Sequence, residues 1–178
     1  DEREMDILRE TKTNVVHNPQ SNMNNAVGTA NILDMIKKGI RVGLGTDAMT
    51  VNMCAEVRTA LWLSKLAKNN PSVGFVEVLS MLLNTNAKIA DSYFGVGLGE
   101  LKEGNKADIV LIDYIPPTPL DEQNFLGHFG FGITESPVDT TIVEGKILME
   151  NKSLKIDIDE EMIAAKSREL AVALWNRF

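Results

Sequence analysis

Cysteine is almost missing from this 178-residue chain, with Cys54 the single example. One thiol can build neither an internal disulfide nor a cysteine metal cluster, and it fits a reducing setting, the cytoplasm. Histidine is nearly as scarce: His17 and His128 are the two present, and neither belongs to a His-x-His pair. A catalytic metal site draws on about three protein ligands, so this chain cannot assemble a complete histidine-based centre alone. Runs of basic residues are lacking as well. With 18 Lys and Arg against 25 Asp and Glu, and a formal net charge of -7, nothing offers the clustered cations that track phosphates, and nucleic acid is not an expected partner. No apolar stretch approaches the ~18 residues of a membrane span, and Asp1-Glu2-Arg3-Glu4 is unlike a signal peptide. The absent initiator Met suggests a piece of a longer polypeptide.

What is present reads as globular protein, 44% hydrophobic and 24% charged. Residues 1–11 carry Met5 and Leu8 at helical spacing, with no capping residue or entry signal ahead of them. Two apolar runs then end in polar loops: Val15-Val16 spills into His17-Asn18-Pro19-Gln20-Ser21-Asn22, and Arg41 to Gly45 ends on Thr46-Asp47. Between them Ala30, Ile32, Leu33, Met35 and Ile36 mark an apolar helix face that Gly39 is placed to stop. Strand, helix, strand, helix with short joins predicts parallel strands linked by right-handed crossovers. Helices are expected over 55–67 and 75–94, parted by Asn69-Asn70-Pro71-Ser72 as breaker and cap.

The texture changes near Gly95. A β-rich run over 107–113 precedes Pro116, Pro117 and Pro119, which open an irregular segment reaching Pro137. Val138 to Met149 reads as a hairpin turning at Glu144-Gly145, and Asp157 with Glu160 resembles a capping box for a closing helix.

Asp47 is the residue on which function turns, because a carboxylate ending a barrel strand would stand at the mouth where such enzymes keep their chemistry. Three readings compete. Gly43-x-Gly45-x-x-Ala48 matches a loose dinucleotide fingerprint, although Asp47 would then oppose the anion. Alternatively Asp47 caps the next helix or satisfies turn amides. The third reading is metal-assisted hydrolysis.

That reading is joined by a resemblance. His17-Asn18-Pro19-Gln20-Ser21-Asn22 on to Gly28, then Gly43-Leu44-Gly45-Thr46-Asp47, look like the seventh and eighth barrel strands of the amidohydrolase superfamily. The branch of chlorohydrolases, guanine deaminases and cytosine deaminase-like enzymes is the nearer match. Glu56, Arg58 and the Gly104-Asn105-Lys106-Ala107-Asp108 run also fit it. Tyr114, Pro116, Pro117, Thr118, Pro119 and Leu120, with Asn124, Gly127 and His128, resemble more narrowly the SsnA-type aminohydrolases. Asn18 stands where the branch more often has cysteine.

The resemblance implies an α/β fold: the last two strand-helix units of a TIM-like barrel over 1–94, strands of a small β-sandwich domain over 95–152, and a C-terminal helix over 153–178. Asp47 would be both metal ligand and proton acceptor for metal-activated water. His17, Ser21 and Asn22 would line the pocket of a heterocyclic amine or amidine-like small molecule. For His17 a hydrogen-bonding structural role stands level with this one, and for His128 a crevice-lining role is expected. The implied cofactor is a divalent metal, zinc with iron or manganese as alternatives, mostly liganded outside this chain. The implied partners are a missing N-terminal barrel half and a second copy in a homodimer. Only two strands precede the Gly-rich transition, whereas a complete barrel takes about 250 residues. The expectation is a C-terminal portion of a hydrolase that is inactive alone, the alternative being a non-catalytic binding or assembly module.

Overall fold

A computed structural model describes residues 1–178. The first helix, α1 (Glu2–Glu10), does have an entry signal: the Asp1 carboxylate accepts from the Glu4 N–H in a capping box. The expectation of an uncapped start is corrected. Strand β1 (Val15–His17) leads into α2 (Pro19–Asn24), where Pro19 takes the first helical position that needs no N–H. Helix α3 (Ile32–Lys37) stops before Gly39, whose φ of +82° the sequence anticipated, and β2 (Val42–Leu44) follows. The two strands pair in parallel, Val15 beside Val42 and His17 beside Leu44, as a strand-helix-strand crossover requires.

Helix α4 (Met53–Ala67) begins where the Asn52 side chain accepts from the Ala55 N–H. The expected single helix over 75–94 is instead α5 (Phe75–Ser80), a π turn (Met81–Thr85) and α6 (Asn86–Phe94), ended by left-handed Gly95. Its entry is Gly74 in the left-handed region, and no side chain caps it, so the Asn69–Ser72 cap is also corrected.

The core lies between β2 and its helices: Val42 and Leu44 pack with Ile32, Val57, Ala60, Leu61, Val78, Leu79 and Met81. The opposite face of the strands is bare, with Val16 52% exposed. Side chains alternate along a strand, so Val15, His17, Val42 and Leu44 turn one way, into the helix core, while Val16 and Gly45 turn to the bare side; Gly43 shares their parity but is covered by Asn86 and Ile89 of α6. A Cβ on Gly45 would stand 2.6 Å from Val16 Cγ1 and 2.5 Å from Asn18 Oδ1, which places those side chains together on that face.

Strand β3 (Ile109–Ile112) opens a second sheet, ordered β3-β4-β5-β6 and antiparallel throughout, with β4 (Val138–Val143), β5 (Lys146–Glu150) and β6 (Ser153–Leu154). The hairpin turns at Glu144-Gly145, both with positive φ, as a two-residue loop between twisted strands demands. The supposedly irregular segment up to Pro137 contains α7 (Phe125–Phe131) and a 3-10 turn (Ile133–Glu135). Glycines 127 and 130 hid this helix from a pattern reading, yet Phe129 is buried in the core and Phe131 stacks on Phe75 with ring centroids 5.9 Å apart. The closing helix α8 (Glu160–Trp175) is capped by Asp159, which accepts from the Met162 N–H, rather than by Asp157. It buries no residue. No helix is long and apolar enough to cross a membrane.

Candidate active site

Just beyond β2 the Gly45 N–H donates to the His17 carbonyl at 2.9 Å, the last tie between the strand ends. The chain then turns sharply: Asp47 and Ala48 have φ of +48° and +54°. For L residues the left-handed region costs roughly 1–2 kcal/mol each, and such strain concentrates at functional sites. The turn holds Asp47 at the C-terminal mouth of the strand pair. Ser21, buried on α2, donates its hydroxyl to Asp47 Oδ2 at 2.8 Å. Asn25 Nδ2 donates to Ser21 Oγ at 3.3 Å, which leaves the serine proton directed at the carboxylate. Asp47 Oδ1 has no partner in the chain.

Two readings of Asp47 lose their footing here. The cap of α4 is Asn52, so Asp47 caps no helix. The dinucleotide fingerprint requires a helix opening at the glycine loop, but α4 starts at Met53, and Gly43 lies inside β2 against the Asn86 side chain.

His17 does not join Asp47. It faces the helix layer beside Leu44, is buried, and its Nδ1 has no hydrogen-bond partner. Burial pushes its pKa below the usual 6.5, so the imidazole is neutral at pH 7. Asn22 is half-buried next to Ser21, and its side chain is likewise unpaired. The structure therefore unites Ser21 with Asp47, places Asn22 alongside, and sets His17 one layer away.

Three supports were given no role by the sequence reading, although Glu56 was noted as fitting the branch. Asn25 lies one helical turn after Ser21, a spacing that could have flagged it. Fully buried Glu56 on α4 accepts from the Gln20 N–H at 3.2 Å, and Thr59 accepts from Gln20 Nε2 at 3.4 Å, which pins α2 next to Ser21. Burial raises the Glu56 pKa, and its Oε1 is unpartnered. Asn86, with no signal in the sequence, grips Leu44 from the side of β2 away from β1. His128 belongs to another place: its Nδ1 lies 2.6 Å from the Tyr114 hydroxyl and its Nε2 3.1 Å from Thr118 Oγ1, pinning the proline-rich segment. No group of three or more His, Cys, Asp or Glu side chains comes together that could hold a metal ion.

Two parallel strands backed by helices, with a carboxylate at their C-terminal mouth, form an open α/β unit in which no barrel is closed. The amidohydrolase family model matches residues 1–148, and the chain belongs to that family. It is 37% identical over 182 residues to a 5-methylthioadenosine/S-adenosylhomocysteine deaminase of Dictyoglomus thermophilum, covering 99% of this chain and 42% of that protein. A 5'-deoxyadenosine deaminase of Methanosarcina acetivorans is 35% identical over 179 residues, covering 98% and 40%. The chain thus spans about two fifths of the length of these curated relatives. Its fold matches that of an adenosine deaminase from Xanthomonas campestris with bound zinc at a TM-score of 0.83 and 23% identity, over 99% of this chain and 40% of that one. The zinc-complexed atrazine chlorohydrolase TrzN from Arthrobacter aurescens matches at 0.75 and 22%, over 96% and 38%.

Proposed function

We propose that this chain is the C-terminal part of a metal-dependent aminohydrolase that deaminates a heterocyclic amine, with adenine nucleosides as the substrate class. The observation that carries the reading is the Asp47 carboxylate, set by a strained turn at the strand mouth, tied through one oxygen to Ser21 and capping nothing. The names of the relatives, deaminases of adenine nucleosides, support the substrate class.

The residues present fit a metal as one donor and no more. Asp47 Oδ1 is unpartnered and would be that donor, while the other ligands would come from outside this chain. A divalent ion held there, for which we favour zinc, would supply the Lewis acidity that activates water near neutral pH. Asp47 would take up that water's proton and pass it towards the leaving nitrogen. Ser21 keeps Oδ2 fixed so that Oδ1 stays turned to the mouth. Asn22 offers a free amide to the substrate's edge, and His17, neutral and with an orphan Nδ1, is assigned to the pocket wall.

We assign 1–94 to the barrel, 95–152 to the small β domain, which β6 (Ser153–Leu154) extends by one short strand, and the remainder of 153–178 to the segment of the closing helix α8, with Phe129 crossing back into the barrel core. We further place the enzyme in the cytoplasm, where the lone Cys54 stays reduced, and expect paired copies.

The test is metal analysis and ammonia release from adenine nucleosides by the full-length protein and its Asp47→Ala variant. About one divalent ion per chain, with activity lost in a folded variant, supports the reading. A metal-free parent, or one whose turnover ignores Asp47→Ala, overturns it.

A further inference from the structure

On the side of β2 away from β1, the backbone of Leu44 is met by a side chain. Strand β1 takes the groups of Arg41 and Gly45, with Val15 N–H donating to the Arg41 carbonyl and Gly45 N–H to the His17 carbonyl, both at 2.9 Å. Leu44, of the opposite parity, points its N–H and C=O away from β1. Both are met by one residue: the Leu44 N–H donates to Asn86 Oδ1 at 2.7 Å, and Asn86 Nδ2 donates to the Leu44 carbonyl at 2.9 Å. A primary amide presents the same acceptor and donor, side by side, that an adjacent strand would present.

Two features of the chain exist in accord with this grip. The π turn at Met81–Thr85 ends at Asn86, and its extra residue rotates α6 relative to α5, turning position 86 towards the strand. Gly43 leaves the space the amide needs. A Cβ there would stand 2.6 Å from Asn86 Oδ1 and 2.8 Å from Ile89 Cδ1. Leu44 is buried, so without Asn86 two backbone groups would be left unpaired in the core or drawn out to water, moving the strand end.

We propose that Asn86 is a positioning residue for the reaction: by holding Leu44 it fixes the end of β2 and hence the placement of Asp47, just beyond. The proposal rests on the reading of Asp47 as the reacting carboxylate. The role assigned to Asn86 runs through the Leu44 backbone and not through a contact with substrate or metal. Misplacement of a reacting group by about 1 Å can cost on the order of 100-fold in rate.

The experiment uses the full-length protein, with kcat and KM for ammonia release from an adenine nucleoside and a thermal melt for each variant. Asn86→Ala is expected to lower kcat about 10-fold or more while KM stays within about 3-fold. Gly43→Ala is expected to act in the same direction, because its methyl displaces the amide, and the double variant to be no worse than Asn86→Ala. Asn86→Asp keeps the acceptor for the Leu44 N–H and loses the donor, so its kcat falls between parent and Asn86→Ala; it serves also if the alanine variant does not fold. A folded Asn86→Ala or Asn86→Asp protein with parental kcat overturns the proposal, as do losses in the double variant that multiply. Asp47→Asn is the control. If it stays active the parent reading fails, whereas an inactive Asp47→Asn beside unaffected Asn86 variants sinks the positioning role alone.

Discussion

Replacing Ser21 with alanine would remove one donor from Asp47 and little else, because the hydroxyl is the only group that ties α2 to the carboxylate. A hydrogen bond to a charged acceptor contributes about 1.5–3 kcal/mol. Asp47 is exposed in this chain, so water replaces part of the lost donor, and the lower figure applies. Since about 1.4 kcal/mol is a tenfold change in rate, Ser21→Ala should lower kcat/KM of the full-length enzyme roughly tenfold. Asn25→Ala, which removes only the group that orients the hydroxyl from 3.3 Å, should cost about twofold. Ammonia release followed at several nucleoside concentrations separates kcat from KM. Full activity in Ser21→Ala beside an inactive Asp47→Asn would refute the argument that this bond directs the carboxylate. A loss in Ser21→Ala as deep as that in Asp47→Asn would refute it from the other side, by making the serine a reacting group.

Gly45→Ala should destabilise the protein by about 1–3 kcal/mol in chemical denaturation, because its Cβ would meet Val16 Cγ1 at 2.6 Å and Asn18 Oδ1 at 2.5 Å. His17, whose pKa burial lowers from 6.5, binds fewer protons folded than unfolded; the stability this gives is complete above 6.5 and is lost as pH falls through the folded value. Denaturant midpoints measured across that window should flatten in His17→Gln. Glu56 has the opposite sign: its pKa is raised above 4.5 by burial, so its contribution is complete below 4.5 and is lost as pH rises through the folded value. Glu56→Gln, whose amide oxygen can still accept from Gln20, should raise Tm at neutral pH and leave it unchanged near pH 4. Tyr114→Phe gives up the 2.6 Å contact with His128 and should cost about 1 kcal/mol, read as faster proteolysis between 115 and 124.

Much of the βα part was legible because its signals are local. Gly39, Gly95 and the Glu144-Gly145 turn announce themselves by the backbone conformation they permit, and the alternation around β1 and β2 sets their faces. The place of Asp47 just beyond β2 was legible for the same reason, a carboxylate closing an apolar run. What failed depends on distant partners. Phe125–Phe131 is a weak helix by composition and exists because Phe129 finds the core and Phe131 finds Phe75. The π turn and the Asn86 grip depend on residues 42 positions apart, and the Glu56 hold on Gln20 spans 36, separations that no periodicity records. At His17 the strand end was legible, while the burial of its ring beside Leu44 depends on helices that the local sequence does not name.

The return of α7 to the core around β2 has a consequence for how the protein is made. A ribosome delivers the βα segment first, yet the hydrophobic cluster around Leu61 and Leu79 lacks its Phe129 neighbour, and Arg58 its Glu135 counter-ion, until the emerging chain has passed residue 135. Vectorial synthesis therefore leaves a half-covered apolar wall in the cell for the seconds that translation of the intervening stretch takes.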